Sequence, residues 1–302
     1  MLFFRNSVVG ILLCRPGNTR SIDVVPCCEY PSRRRKMTFD AHFKQLIQAF
    51  LKQCEIQAND PVGKLPLTID LVIKCLERNT SGIFIPIFKN HFSCINILEF
   101  KSSHDPPGRD DLAKLVGYVG LYCHHHGIGL EEMTEKITAW YIVTCHPTYF
   151  ADLMEKHAIK KTSTRGLYQV MLPFLCPFFI IIIDELDITD GNFPLLGFAT
   201  DETLKDSVIA MDEKRRRNAL SPELEKYLTT ICVINYGVLR TMTEMENILP
   251  DIFEKNLKLA INDIGLKKAI EILGVKEVID AIGIDRLFAE LGEATMNQLV
   301  SK

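Results

Sequence analysis

Four short apolar runs constrain this chain most: CINILEFK (94–101), ITAWYIVTC (137–145), LYQVML (167–172) and FFIIIID (178–184). Each is rich in β-branched and aromatic residues, and each has the length of a strand. LPLTIDLVIKCLE (65–77) and IFIPIF (83–88) read as two more strands, with the turn RNTSG (78–82) between them. Stretches of helical period separate these runs. Phe43, Leu46, Ile47, Phe50 and Leu51 share one face, with Lys44, Gln45, Gln48 and Lys52 opposite. Thr38 or Asp40 is placed to cap that helix. Residues around Asn59, Asp60, Pro61 and Gly63 read as a loop. Leu112, Leu115, Val116, Val119 and Cys123 form a second apolar face, with Asp110 and Asp111 in the first turn, where they suit the helix dipole. The expectation is an α/β sheet domain of about 160 residues.

Three regions follow from composition. Residues 1–36, with Cys27-Cys28 and the run Arg33-Arg34-Arg35-Lys36, read as a disordered arm or an over-extended start ahead of Met37. Residues 37–200 hold the α/β pattern. Residues 201–302 read as helical, with a nine-residue repeat led by Gly265, Gly274, Gly283 and Gly292. Such a repeat suits short helices ended by glycine, and the expectation is a packing module through which the chain could form a homo-oligomer.

Some function classes are disfavoured. The net charge is −3, so a polyanion must be met by a local basic patch. No apolar run reaches the roughly 18–20 residues of a membrane span; the longest, VMLPFLCPFFIIII (170–183), contains two prolines. Ten cysteines sit mostly in apolar runs without a regular framework, which points to a reducing compartment. The expected location is cytoplasmic, with no membrane partner. FFIIIIDELD imitates the acidic strand of an ATPase, but no matching phosphate loop occurs. CHHHG (123–127) and Cys145-His146 are a possible zinc set without the paired spacing of a zinc finger.

The charges in CINILEFK are the chemical signal. Glu99 and Lys101 lie two apart and face one side with Ile95 and Ile97, while Leu98 and Phe100 face the other. Asp70 interrupts an earlier apolar run, and the turn at 78–82 lets both segments join one sheet. Two carboxylates held close repel each other unless a cation sits between them. Their hard oxygens suit Mg²⁺ or Mn²⁺, which keep several waters and leave room for a phosphate. Lys101 is then placed to hold or help deprotonate the attacking water. The plain alternative is a salt bridge among Asp70, Glu99 and Lys101 at a sheet edge.

The order helix, strand with Asp70, turn, strand ending in Glu-Phe-Lys, then helix resembles the PD-(D/E)XK nuclease superfamily. It is closest to the recombination-promoting nuclease and transposase-like branch, through FDAHFKQLIQAFL, DLAKLVGYVGLY, ITAWYIVT and the YQVML…FFIIIID pair, over roughly residues 38–200. The resemblance implies a restriction-endonuclease-like core, α-β-β-β-α-β, with a mixed sheet flanked by helices and an all-helical C-terminal region. It implies a metal-dependent DNA endonuclease with Asp70, Glu99 and Lys101 catalytic. Asp70, Glu99 and the Phe100 carbonyl would be the metal ligands. Lys114 and Tyr118, off the apolar face of the second helix, would be auxiliary phosphate contacts, and Asp40 the nearest substitute for an extra acid. The sequence departs from the family in having Ile69, not Pro, before the Asp and no clear Glu in the first helix. An inactive binding or assembly module on the same fold is the alternative.

Overall fold

The computed structural model describes residues 39–51, 54–61, 68–75, 85–102, 105–171, 176–253, 266–273 and 278. The Gly274, Gly283 and Gly292 repeats and residues 1–36 lie outside them.

A mixed seven-stranded sheet runs in the order β1-β2-β3-β4-β7-β6-β5. Its strands are β1 (Glu55–Pro61), β2 (Thr68–Lys74), β3 (Ile95–Lys101), β4 (Ile137–Val143), β5 (Ile159–Lys161), β6 (Leu167–Val170) and β7 (Phe178–Ile182). β3, β4 and β7 are parallel neighbours, and the other pairings are antiparallel. β4 and β7 are buried at every position, because helices cover both faces.

On one face lie α1 (Phe39–Phe50), α2 (Pro86–Lys89), α6 (Phe193–Leu196), α7 (Asp201–Arg216), α8 (Pro222–Ile234) and α9 (Tyr236–Leu239). Phe43, Ile47, Leu98, Phe100, Trp140, Met211 and Ile231 meet there in one apolar core. The helices beyond Asp201 therefore pack into the same core as the sheet. On the other face α3 (Asp111–His126), α4 (Leu130–Lys136) and α5 (Phe150–Glu155) cover Ile97, Tyr141, Val143 and Ile180. The first Gly-led repeat forms the helix Leu266–Leu273, which packs on α8 and α9. Among the described residues, no helix is long and apolar enough to cross a membrane.

Two expectations change. Asn59, Asp60 and Pro61, read as part of a loop, belong to the edge strand β1. Its polar sequence EIQANDP escapes an apolar-pattern reading because it pairs with one neighbour only. IFIPIF, read as a strand, instead leads into α2. Pro86 occupies the first helical position after an extended Ile85, where a missing N–H costs nothing.

Candidate active site

Register decides which charges meet. In the β2–β3 ladder Leu71 pairs with Leu98 and Val72 with Ile97. The ladder ends at Leu71–Leu98; the next residues along the two strands are Asp70 and Glu99, and their charges interact. Oδ2 of Asp70 accepts the Phe100 backbone N–H at 3.1 Å, which ties its carboxylate to the end of β3. β2 is irregular here. Leu71 packs on the α1 face and Val72 on the α3 face, yet Ile69 joins Val72, so the two-residue alternation slips at Asp70. Across the strand pair, Asn59 has a φ of 55°, a left-handed conformation that Asn tolerates better than most residues.

Lys101 extends from the last residue of β3. Its Nζ lies 3.4 Å from Oε1 of Glu99, donates to Oδ2 of Asp105 at 2.8 Å and lies 3.7 Å from Oδ1 of Asp111. Lys114, on the first turn of α3, donates to Oε1 of Glu99 at 3.3 Å. Lys44, from α1, donates to Oδ1 of Asn59 at 2.7 Å and lies 3.5 Å from Oδ1 of Asp70. Four carboxylates (Asp70, Glu99, Asp105, Asp111) thus face three ammonium groups.

Glu99 is only 3 % exposed. Burial pushes its carboxyl above the usual range, and the Asp70 charge adds to this, against the opposing pull of Lys114 and Lys101. Oε2 of Glu99 is buried without a hydrogen-bond partner. A buried carboxylate oxygen rarely goes unpaired, so this one needs an explanation. A divalent cation supplies one: with Asp70 it would find two carboxylates, and Mg²⁺ commonly takes only one or two, filling its remaining positions with water. Among the described residues, no group of three or more His, Cys, Asp or Glu side chains is arranged to hold a metal ion, so a cation here would rely on that two-carboxylate set.

The carboxylates around Lys101 act on its charge. A metal cation between the carboxylates would depress the Lys101 ammonium pKa. Burial does act in that direction, but the bond to Asp105 and the charges of Glu99 and Asp111 outweigh it and push the pKa up. Among these side chains alone, Lys101 is therefore held as a cation.

Phe100 has its ring in the core, stacked on Phe43 at 4.1 Å between centroids, so the peptide between Glu99 and Lys101 is anchored from behind. Tyr118 differs from the expectation that it lies off the apolar face of α3. It is buried with Val119 and with Leu115 and Tyr122, its neighbours at three- and four-residue spacing. It still touches the site indirectly, since Lys114 Nζ sits 5.2 Å from the centre of its ring. The Asp40 side chain lies outside the described residues.

Lys44, Asn59, Asp105 and Asp111 were not singled out as site residues from sequence. Lys44 was assigned to the polar face of its helix, yet it is 6 % exposed. Asp111 was read as a dipole partner only; it also accepts the Gly108 N–H at 2.7 Å and the Tyr141 hydroxyl at 3.3 Å.

The competing signals have structural roles or stay apart. Oδ1 of Asp184 accepts the Thr200 N–H at 2.8 Å, at the entrance of α7. Glu185 accepts the Tyr168 hydroxyl at 2.6 Å. His124–His126 close α3, ahead of Gly127 with a φ of 66°, whereas Cys145-His146 follow β4 at the other end of the sheet.

No protein-family model matches the chain, and no curated protein or solved structure matches it significantly.

Proposed function

We propose that this chain is a divalent-metal-dependent DNA endonuclease with a restriction-endonuclease-like core of the PD-(D/E)XK type, related in pattern to the recombination- and transposase-associated branch. The observation that carries this reading is the meeting of Asp70 on β2 with Glu99 and Lys101 on β3, with one Glu99 oxygen buried and unpartnered. The chain order supports it: a helix, three strands with the short α2 ahead of the third, the helices α3 and α4, then a parallel strand. Asp70 and Glu99 would hold Mg²⁺ or Mn²⁺, with the Phe100 carbonyl as a further ligand. A cation there supplies charge neutralisation at the phosphodiester and acidifies water for an in-line displacement. Lys101, steadied by Asp105 and Asp111, sets a positive charge beside the reacting phosphate, and Lys114 sets a second from α3.

A second reading, a binding or assembly module on the same fold, is favoured by one observation: Lys101 and Lys114 already neutralise Glu99. Incubating supercoiled plasmid with Mg²⁺, Mn²⁺ or EDTA separates the two. The nuclease nicks or linearises the plasmid only with metal, and Lys101→Ala and Glu99→Gln each lose at least about a hundredfold in rate, as expected for groups acting on the transition state. A folded wild type that is inert in both metals overturns the nuclease.

A further inference from the structure

The register that places Glu99 also places a basic hairpin. Glu99 pairs with Tyr141, Tyr141 with Ile180, Ile180 with Tyr168, and Tyr168 with Lys161. Lys161 therefore stands in the same cross-strand row as Glu99 and faces the same side of the sheet. The turn that follows, residues 162–166, lies at the end of the sheet where Lys101, Val143 and Ile182 end their strands. The Gly166 carbonyl accepts the Ile182 N–H at 2.9 Å. Four strand spacings of about 4.8 Å separate β3 from β5, or about 19 Å. A nucleic-acid duplex covers that distance in about six base-pair steps.

The hairpin is strongly basic within an acidic chain. Residues 156–183 contain Lys156, Lys160, Lys161 and Arg165 and no Asp or Glu. All four side chains are exposed. Two have contacts: Lys161 Nζ lies 5.8 Å from the centre of the Tyr168 ring, and Arg165 reaches Asp187 at 3.4 Å across an exposed pair. Exposed pairs of this kind are weak and yield to a better anion. The turn is also closely packed at Gly166. Gly166 has a φ of 74°, and a Cβ there would come within 2.9 Å of the Ile182 carbonyl.

The more conspicuous basic run, Lys214 to Arg217, is arranged differently. Lys214 pairs with Asp190, Arg215 and Arg216 with Asp212 and Asp251, and Arg217 with Glu213. Its charge is largely matched inside the fold.

We infer that the β5–β6 hairpin, through Lys161 and Arg165, with Lys160 reaching round from the other face of the same edge strand, is a docking surface for the phosphate backbone of a nucleic-acid duplex whose other end reaches Glu99 and Lys101. The choice of a nucleic acid over other polyanions rests on the nuclease reading above. Lysines on an edge strand also guard against strand-to-strand aggregation, and the test must separate that role from docking.

Binding of a short DNA duplex, and of an RNA duplex of the same sequence, is measured by fluorescence anisotropy in EDTA and again in Ca²⁺ across a salt series. The proteins are wild type, the triple variant Lys160→Glu/Lys161→Glu/Arg165→Glu, and the milder triple Gln variant, each checked for folding by circular dichroism. Lys89→Glu/Lys136→Glu changes charge at the opposite end of the sheet and serves as control. The docking surface predicts wild-type binding to at least one duplex. It predicts at least tenfold weaker binding in the Glu variant, an intermediate loss in the Gln variant, and no change in the control. Removing three phosphate contacts lowers the slope of log affinity against log salt by about 2–3. Wild-type affinity retained by the folded hairpin variants, or no wild-type binding to either duplex, overturns the inference. Binding that depends on the hairpin without any cleavage in Mg²⁺ or Mn²⁺ removes the nuclease and leaves the docking surface. Cleavage at low DNA concentration that is unaffected by the hairpin changes removes the docking surface and leaves the nuclease.

Discussion

Glu99 on β3 and Asp212 on α7 are both 3 % exposed, and each carboxylate faces two basic side chains. Asp212 has both oxygens occupied. Oδ1 accepts from Arg215 Nε at 2.9 Å and Oδ2 from Arg216 Nε at 2.7 Å, both from the next turn of its own helix. Glu99 has both lysines on Oε1 and leaves Oε2 bare. The Asp212 carboxylate is matched at both oxygens, although Nη2 of Arg215 beside it is buried with only an ion-pair contact; the Glu99 carboxylate is matched at one oxygen and bare at the other. Similar burial and similar charge thus leave the two carboxylates differently paired, and the difference lies in the hydrogen bonding of the carboxylate oxygens themselves.

The largest expected effect is at Asp212. Asp212→Ala strands the nearly buried Arg215 and should cost about 3 kcal/mol, the low end for breaking a buried pair because Arg216 and Asp251 are half in water. Urea unfolding measures this; a loss under about 1 kcal/mol, typical of an exposed pair, would erase the contrast.

Metal should move the two sites differently. At a hundredfold excess over its dissociation constant, Mg²⁺ or Mn²⁺ should stabilise wild type and Asp212→Asn alike by about 2.7 kcal/mol, and Glu99→Gln hardly at all. Without metal the sign at Glu99 reverses. A carboxyl whose pKa is raised on folding disfavours the fold once pH exceeds that raised value, and the penalty disappears as pH falls to the unfolded range. Glu99→Gln should therefore match or exceed wild-type stability at neutral pH in EDTA, and the gain should shrink in acid. Clear destabilisation of Glu99→Gln at neutral pH would make Glu99 a structural partner like Asp212.

The smallest effect concerns His91, away from both clusters. Its ring lies 4.5 Å from that of Phe179, and burial holds its pKa below the ordinary imidazole range. A lowered folded pKa means that protons bind the unfolded chain first, so wild type loses stability as pH falls below about 6.5. In His91→Gln that part of the slope should be absent from melting curves taken through the same range. An unchanged slope would show that the acid sensitivity lies in the carboxylates alone.

β3, β4, β6 and β7 were legible because their apolar runs are long and β-branched, and α1 and α3 because their apolar faces repeat at helical spacing. β1 was not, since an edge strand with one neighbour needs no apolar alternation. Asp70, Glu99 and Lys101 stood out because charges in apolar strands are costly and so conspicuous. The sequence alone determined that an α/β sheet would carry these three charges on neighbouring apolar segments. Only the tertiary structure decided that Lys44 turns inward to Asp70, that Tyr118 belongs to the core, that Asp105 and Asp111 keep Lys101 charged, and that Lys161 shares a row with Glu99. Periodicity reports which side of its own element a residue occupies. Pairing register and helix docking, set by contacts far apart in the chain, fix what stands opposite it.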